Sequence, residues 1–161
     1  MTMIIRKATA DDVRQIAAIV VEDWQKAYRG IIDSDFLDAM SVEKRYGVEI
    51  NRYHDFVVAV EGQEVLGYAW HAMMEDTVAD CEVIALYVRY SLRHTGIGRR
   101  LLLHAMDTFR VAGKKRMIIW CLKDNAEAKR FYERMGGKQG ALSSHQWGNK
   151  DYELVSYLYE L

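Results

Sequence analysis

The chain has 161 residues, half of them hydrophobic and 28% charged, with a formal net charge of −1 at pH 7; this suits one globular domain, residues 1–161, with a sizeable core. No run of about 18 uncharged apolar residues occurs, which excludes a membrane-spanning helix, and the opening MTMIIRKATADD lacks a signal peptide's apolar stretch and cleavage site. The two cysteines, Cys81 and Cys121, make neither a disulfide framework nor a metal-ligand cluster, so the expectation is free thiols in a reducing cytoplasm and no metal.

The balanced charge hides two unlike halves. Residues 1–88 carry 8 Lys/Arg against 16 Asp/Glu, and residues 89–138 carry 13 against 4. A basic segment of this kind suits a polyanionic ligand. Nucleic acid is disfavoured, because no basic stripe with interleaved aromatics is present.

In chain order, Met3–Ala8 reads as a short strand. Thr9 or Asp11 then caps a helix whose apolar face is Val13, Ile16, Ala17, Val20, Val21 and Trp24. Gly30 ends it. Asp33-Ser34 and Ser41 restart two shorter helical segments. Phe56–Val60 and Val65–Met73 read as strands joined by the hairpin turn Glu61-Gly62-Gln63-Glu64. A polar connection leads to the central strand, residues 82–88. Its period of two sets Glu82, Ile84, Leu86 and Val88 on one face.

The central strand feeds Arg93-His94-Thr95-Gly96-Ile97-Gly98, followed by the helical stripe Leu101, Leu102, Ala105, Met106 and Phe109. A glycine-bearing turn at a helix N-terminus is an anion site in the making. The first helical N–H groups lack intrahelical partners, and the helix dipole favours negative charge there. Arg93, Arg99 and Arg100 add forked donors. The expected ligand is a diphosphate.

Beyond Gly113 comes a buried strand, Met117–Cys121. A helix opens at Asp124-Asn125-Ala126-Glu127, carries Ala128, Phe131, Tyr132 and Met135 on one face, and stops at Gly136-Gly137. Two strand-like segments, 138–143 and 152–159, finish the chain around a polar loop, 144–151. Only the strand–helix–strand unit across 82–121 requires a parallel pair. The expectation is α/β: a mixed central sheet of about six to seven strands, antiparallel at its N-terminal side with a parallel pair in the middle, flanked by helices.

Two motifs at this separation resemble those of the GNAT superfamily of N-acetyltransferases. Arg93–Gly98 resembles its Arg/Gln-x-x-Gly-x-Gly/Ala pyrophosphate loop. Asn125–Gly136 resembles its second motif, an Asn followed seven residues later by a Tyr and then by Gly. Trp24–Gly30, W-x-x-A-Y-R-G, is similar to one branch of bacterial members. Two features depart from the pattern: Tyr90-Ser91 stands where a proline is frequent, and the second motif ends Gly-Gly rather than Gly-Phe.

The resemblance implies acetyl transfer from acetyl-CoA to a primary amine, without a metal and without a covalent enzyme intermediate. It implies a coenzyme site at Leu86, Tyr87, Val88, Arg93, His94, Thr95, Gly96, Ile97, Gly98, Arg99, Asn125 and Tyr132. The pantetheine arm lies as an added strand along Leu86–Val88. Tyr132 serves as the acid that protonates the leaving thiolate, and Glu82 as the base that deprotonates the amine. His71 and His145 are reserve bases. Trp24, Tyr28, Arg29, Trp70 and Trp147 are the expected acceptor pocket. The acidic first half favours a cationic small molecule, such as a polyamine, or a peptide amine. A homodimer is expected by analogy with small enzymes of this kind.

Two other classes compete. One is a coenzyme A-binding sensor without turnover. The other is a nucleotide binder, against which stand the missing G-x-x-x-x-G-K-[ST] and the missing third glycine of a dinucleotide loop.

Overall fold

The acidic turn before the first helix is fixed by Asp12. Its carboxylate accepts from the Thr9 N–H at 2.8 Å and takes both arms of Arg6 at 2.8 and 3.0 Å. The first strand, β1 (Ile4–Lys7), is thereby tied to the start of α1 (Val13–Ala27). The computed structural model describes residues 2–161. Two shorter helices, α2 (Ser34–Asp38) and α3 (Val42–Glu49), follow α1, the second capped by Ser41 Oγ accepting from the Lys44 N–H.

The strands β2 (Phe56–Glu61), β3 (Glu64–Met73) and β4 (Cys81–Val88) continue from β1 as an antiparallel run. Helix α4 (Ile97–Val111) crosses over to β5 (Arg116–Leu122), which lies parallel to β4. After α5 (Ala126–Arg134), β6 (Lys138–Trp147) and β7 (Lys150–Glu160) form a hairpin, with β7 paired to β5. The sheet order is β1-β2-β3-β4-β5-β7-β6. The expected mixed sheet is therefore present, with seven strands.

The segment 144–151, expected as a polar loop, is instead the closed end of this hairpin. The strands run up to Trp147 and from Lys150, turning at Gly148-Asn149 with Gly148 at φ 63°. Ser144, His145 and Gln146 are exposed, so side-chain alternation carries no signal where only the backbone pairs.

One apolar layer lies between the sheet and α4 with α5. There α4 contributes Ile97, Leu101, Leu102, Ala105, Met106 and Phe109, all buried. The second layer joins the opposite face to α1 and its following turns through Ile16, Val20, Trp24, Ile32 and Leu37. Each large side chain so buried contributes roughly 1.5–3 kcal/mol. No helix among the described residues is long and apolar enough to cross a membrane.

Strand β4 breaks its own period. Trp70 pairs with Ala85 and His71 with Val83, so Ile84 is an extra, bulged residue. Before the bulge, Cys81 and Val83 face α4; after it, Leu86 and Val88 do, while Ala85 and Tyr87 face α1. Glu82 lies opposite Cys81 and Val83, on the α1 face. The alternation had set Glu82 beside Leu86 and Val88; the bulge places it on the other side of the sheet.

Candidate active site

Strands β4 and β5 pair only over Cys81–Val83 and Met117–Ile119. Beyond that they separate: β5 keeps its ladder with β7 as far as Leu122 opposite Leu154, and β4 runs on to Val88 with one edge free. The Arg89 N–H donates to Leu66 O at 2.8 Å, toward β3. Peptide groups alternate along a strand, so those of Leu86 and Val88 point into the opening. The resulting cleft has a volume of about 750 Å³, within the roughly 300–1,000 Å³ of ligand sites. It offers a strand edge to an extended, amide-bearing ligand.

At one end stands the turn that leads into α4. Gly96 caps α4 with φ 93°, and its carbonyl accepts from the Arg100 N–H at 3.1 Å. His94 is also left-handed, at φ 64°. The Thr95 hydroxyl bonds to Leu92 O at 2.5 Å, holding the turn from within. No atom lies within 4 Å of a Cβ built at Gly96, so the residue is required for its backbone conformation rather than for space. Arg93, His94, Gly96, Ile97, Gly98 and Arg99 line this end of the cleft. Arg93 forms an ion pair with Glu127 at 2.8 Å, and His94 Nε2 reaches the other oxygen of the same carboxylate at 3.0 Å.

Helix α5 forms the facing wall. Tyr132 lines the cleft and is only 7% exposed. Its carbonyl is engaged by the Tyr159 hydroxyl and the Gly137 N–H, while its own hydroxyl has no protein hydrogen-bond partner among the described residues. Burial pushes the Tyr132 phenol well above its usual range, so it stays protonated at neutral pH. Asn125 is itself the cap of α5, through Oδ1 accepting from the Ala128 N–H at 3.2 Å. The Asn125 carboxamide N–H₂ remains a donor on the cleft wall.

Cys121 also lines the cleft, and burial raises its thiol to about 11. Burial raises Cys81 to about 12. Neither is a thiolate at neutral pH, as a nucleophile would need to be.

Helix α1 closes the third side with Asp23, Ala27 and Tyr28. Trp24 Nε1 donates to the Tyr87 hydroxyl at 3.0 Å, joining α1 to β4. Asp23 was not singled out from the sequence. It is half-buried, and burial first, then the nearby Glu127 and Glu22, outweigh Arg93 and raise its carboxyl to about 6. The available signal is its i, i+4 spacing to Ala27 on one helix face, which distinguishes it poorly from a solvated acid.

Several expected site residues lie elsewhere. Arg29 is exposed and bound to Asp38 at 2.8 Å and to Gln25 O at 2.8 Å. Trp70 packs on Phe56 and under Arg52. His71 faces α4 beside His104 and Phe109, and burial lowers it to about 4. His145 is exposed on β6 beside Trp147. Glu82 lies outside the cleft lining, half-buried, with its carboxyl raised by burial. Trp24 and Trp147, with ring centroids 5.4 Å apart, wall a second hollow beside the cleft.

The family model described as acetyltransferase (GNAT) family matches residues 14–137. The chain belongs to the GNAT family. It is accordingly an acetyl-CoA-dependent acetyltransferase. The GNAT chain is 29% identical over 136 residues to a Mycobacterium tuberculosis protein named a probable N-acetyltransferase, a match covering 81% of this chain and 76% of that protein. Its fold is similar to a PaiA N-acetyltransferase from Thermoplasma acidophilum solved with coenzyme A. That match has a TM-score of 0.77 and 20% identity over 99% of this chain and 100% of the other. It is also similar to YncA from Salmonella typhimurium, solved with acetyl-CoA, with a TM-score of 0.72 and 21% identity over 99% and 94% of the two chains.

Proposed function

We propose that this GNAT enzyme transfers acetyl directly from acetyl-CoA to a primary amine, with Tyr132 as the acid and Glu82 as the base. The observation that carries the reading is the free edge of β4 facing the unpartnered Tyr132 hydroxyl across one cleft. The Leu86 and Val88 peptide groups hold the pantetheine arm, and an N–H at Val88 stabilises the developing oxyanion. The Gly96 turn and Arg93 take the diphosphate, and the Asn125 carboxamide donates to the arm. Tyr132, neutral and buried, protonates the departing thiolate. An alkyl amine is protonated at neutral pH and cannot attack until it loses a proton. Glu82, set by the bulge at Ile84 on the α1 face with Tyr87 and outside the cleft lining, takes the amine proton through a water relay. The raised, protonated thiols of Cys81 and Cys121 support direct transfer over an acyl-enzyme. Both thiols being free suits a cytoplasmic setting.

The test is release of free thiol from acetyl-CoA against polyamines, aminoglycosides, amino acids and short peptides. Turnover with one class establishes the transfer. Silence across the panel, with coenzyme A binding intact, would favour the sensor alternative.

A further inference from the structure

Beside the cleft is a second hollow of about 270 Å³, walled by Trp24, Phe36, Met40, Val48 and Trp147. It falls just below the usual range for a whole ligand, roughly 300–1,000 Å³, so it has room for one part of a molecule. Trp24 stands between the two spaces. Its ring lies 4.9 Å from that of Tyr28, which lines the cleft, and its Nε1 bonds to Tyr87.

The polar groups of the hollow have one sign. Lys44 and Arg45 line it, and no acid does. Arg45 is loosely held: its Nη2 is 3.6 Å from Glu49, a carboxylate that Arg52 Nε already binds at 2.6 Å, and its Nε is buried without a partner. Lys44 has no ion-pair partner among the described residues. Several acids of the N-terminal half, which suggested a cationic acceptor, are spent elsewhere. Asp12 pairs with Arg6, Glu43 with Arg14, and Asp38 with Arg29. Among the acids without an ion-pair partner, Asp23 lies on the cleft wall and Glu82 on β4.

We propose that the hollow holds the far end of the acceptor, and that this end is an apolar, ring-sized body bearing a carboxylate. The proposal rests on the acetyltransferase reading and names its substrate class. An amine of this kind sets its ammonium toward Asp23 and Glu82 and its anion toward Arg45 and Lys44, with the aromatic walls burying the body between. A polyamine instead places a second cation beside Lys44 and the loosely held Arg45, which costs binding.

The test compares three probe amines with acetyl-CoA: 4-(aminomethyl)benzoate, benzylamine and spermidine. The expected result is a kcat/KM for 4-(aminomethyl)benzoate at least about tenfold above both others, the scale of one satisfied charge-assisted contact. In Lys44→Glu, a surface substitution, the ratio between the carboxylate amine and benzylamine falls to near one. Equal or better use of benzylamine or spermidine, or an unchanged ratio in Lys44→Glu, overturns the proposal while leaving acetyl transfer in place. If none of the three turns over, the broader amine panel decides the transfer reading, and binding of 4-(acetamidomethyl)benzoate decides the hollow. Quenching of tryptophan fluorescence that is lost in Lys44→Glu supports the anion subsite. No quenching overturns it.

Discussion

Arg93 Nη2 lies 2.8 Å from Glu127 Oε2, so a guanidinium beside the α4 turn is already paired with a carboxylate from α5. A diphosphate entering the turn competes with Glu127 for that cation. The pair is partly exposed, 24% and 41% for the two side chains, and such pairs are worth about 0–1 kcal/mol. Glu127→Gln is therefore expected to tighten coenzyme A binding by up to about fivefold in calorimetric titration. Weaker binding would mean that Glu127 assists the coenzyme instead.

Tyr132→Phe removes the buried hydroxyl and keeps the ring against Phe131 and Tyr157. Turnover should fall by roughly a hundredfold, the lower end for a positioned acid, with the KM for acetyl-CoA within about twofold of the parent. Unchanged turnover refutes the acid role.

The two candidate bases, Glu82 and Asp23, separate by their pH profiles. A base works only when ionised, so kcat/KM should drop as pH falls through its pKa. Both candidates are raised by burial, Asp23 to about 6. The acidic limb should vanish in Glu82→Gln and persist in Asp23→Asn. The reverse pattern assigns the base to Asp23.

At Gly96 the constraint is conformational. Gly96→Val places a β-branched side chain at φ 93°, a conformation such residues rarely adopt, and coenzyme A binding should be lost. Gly96→Asn, whose short side chain tolerates positive φ, should retain affinity within about tenfold. Equal damage from both would point to crowding by the ligand as the cause.

His71 supplies a stability prediction. Its folded pKa of about 4 lies below the ordinary value of 6.5, so the unfolded chain binds the extra proton between those limits. Stability is then full above pH 6.5 and declines as pH falls toward 4, by roughly 3 kcal/mol in total. His71→Leu should flatten this part of a denaturant-midpoint profile. A slope unchanged from the parent would place the titrating group elsewhere.

How much of this site was legible follows the range of each signal. The Gly96 turn, the Asn125–Tyr132 spacing and the apolar stripe of α4 are local patterns, because helix period and glycine conformation are set within a few residues. They gave the element order, the mixed sheet and the end of the cleft that carries the glycine turn. The side Glu82 occupies was not local. The alternation 82, 84, 86, 88 holds only for a regular strand, and the extra residue at Ile84 is visible solely in the pairing with Trp70 and His71.

Charge behaved the same way. Counting acids in the first half describes net charge. Which acids remain free depends on partners far along the chain, such as Arg14 for Glu43 and Lys150 for Asp33. Arg29 and Trp70 have the composition of a binding pocket, yet their packing partners hold them away from it. Sequence by itself determined what kinds of elements form and where the glycine turn before α4 sits. Tertiary structure decided which side chains share a cavity, because faces, ion pairs and strand splay are fixed by hydrogen bonds and contacts between segments that no local period encodes.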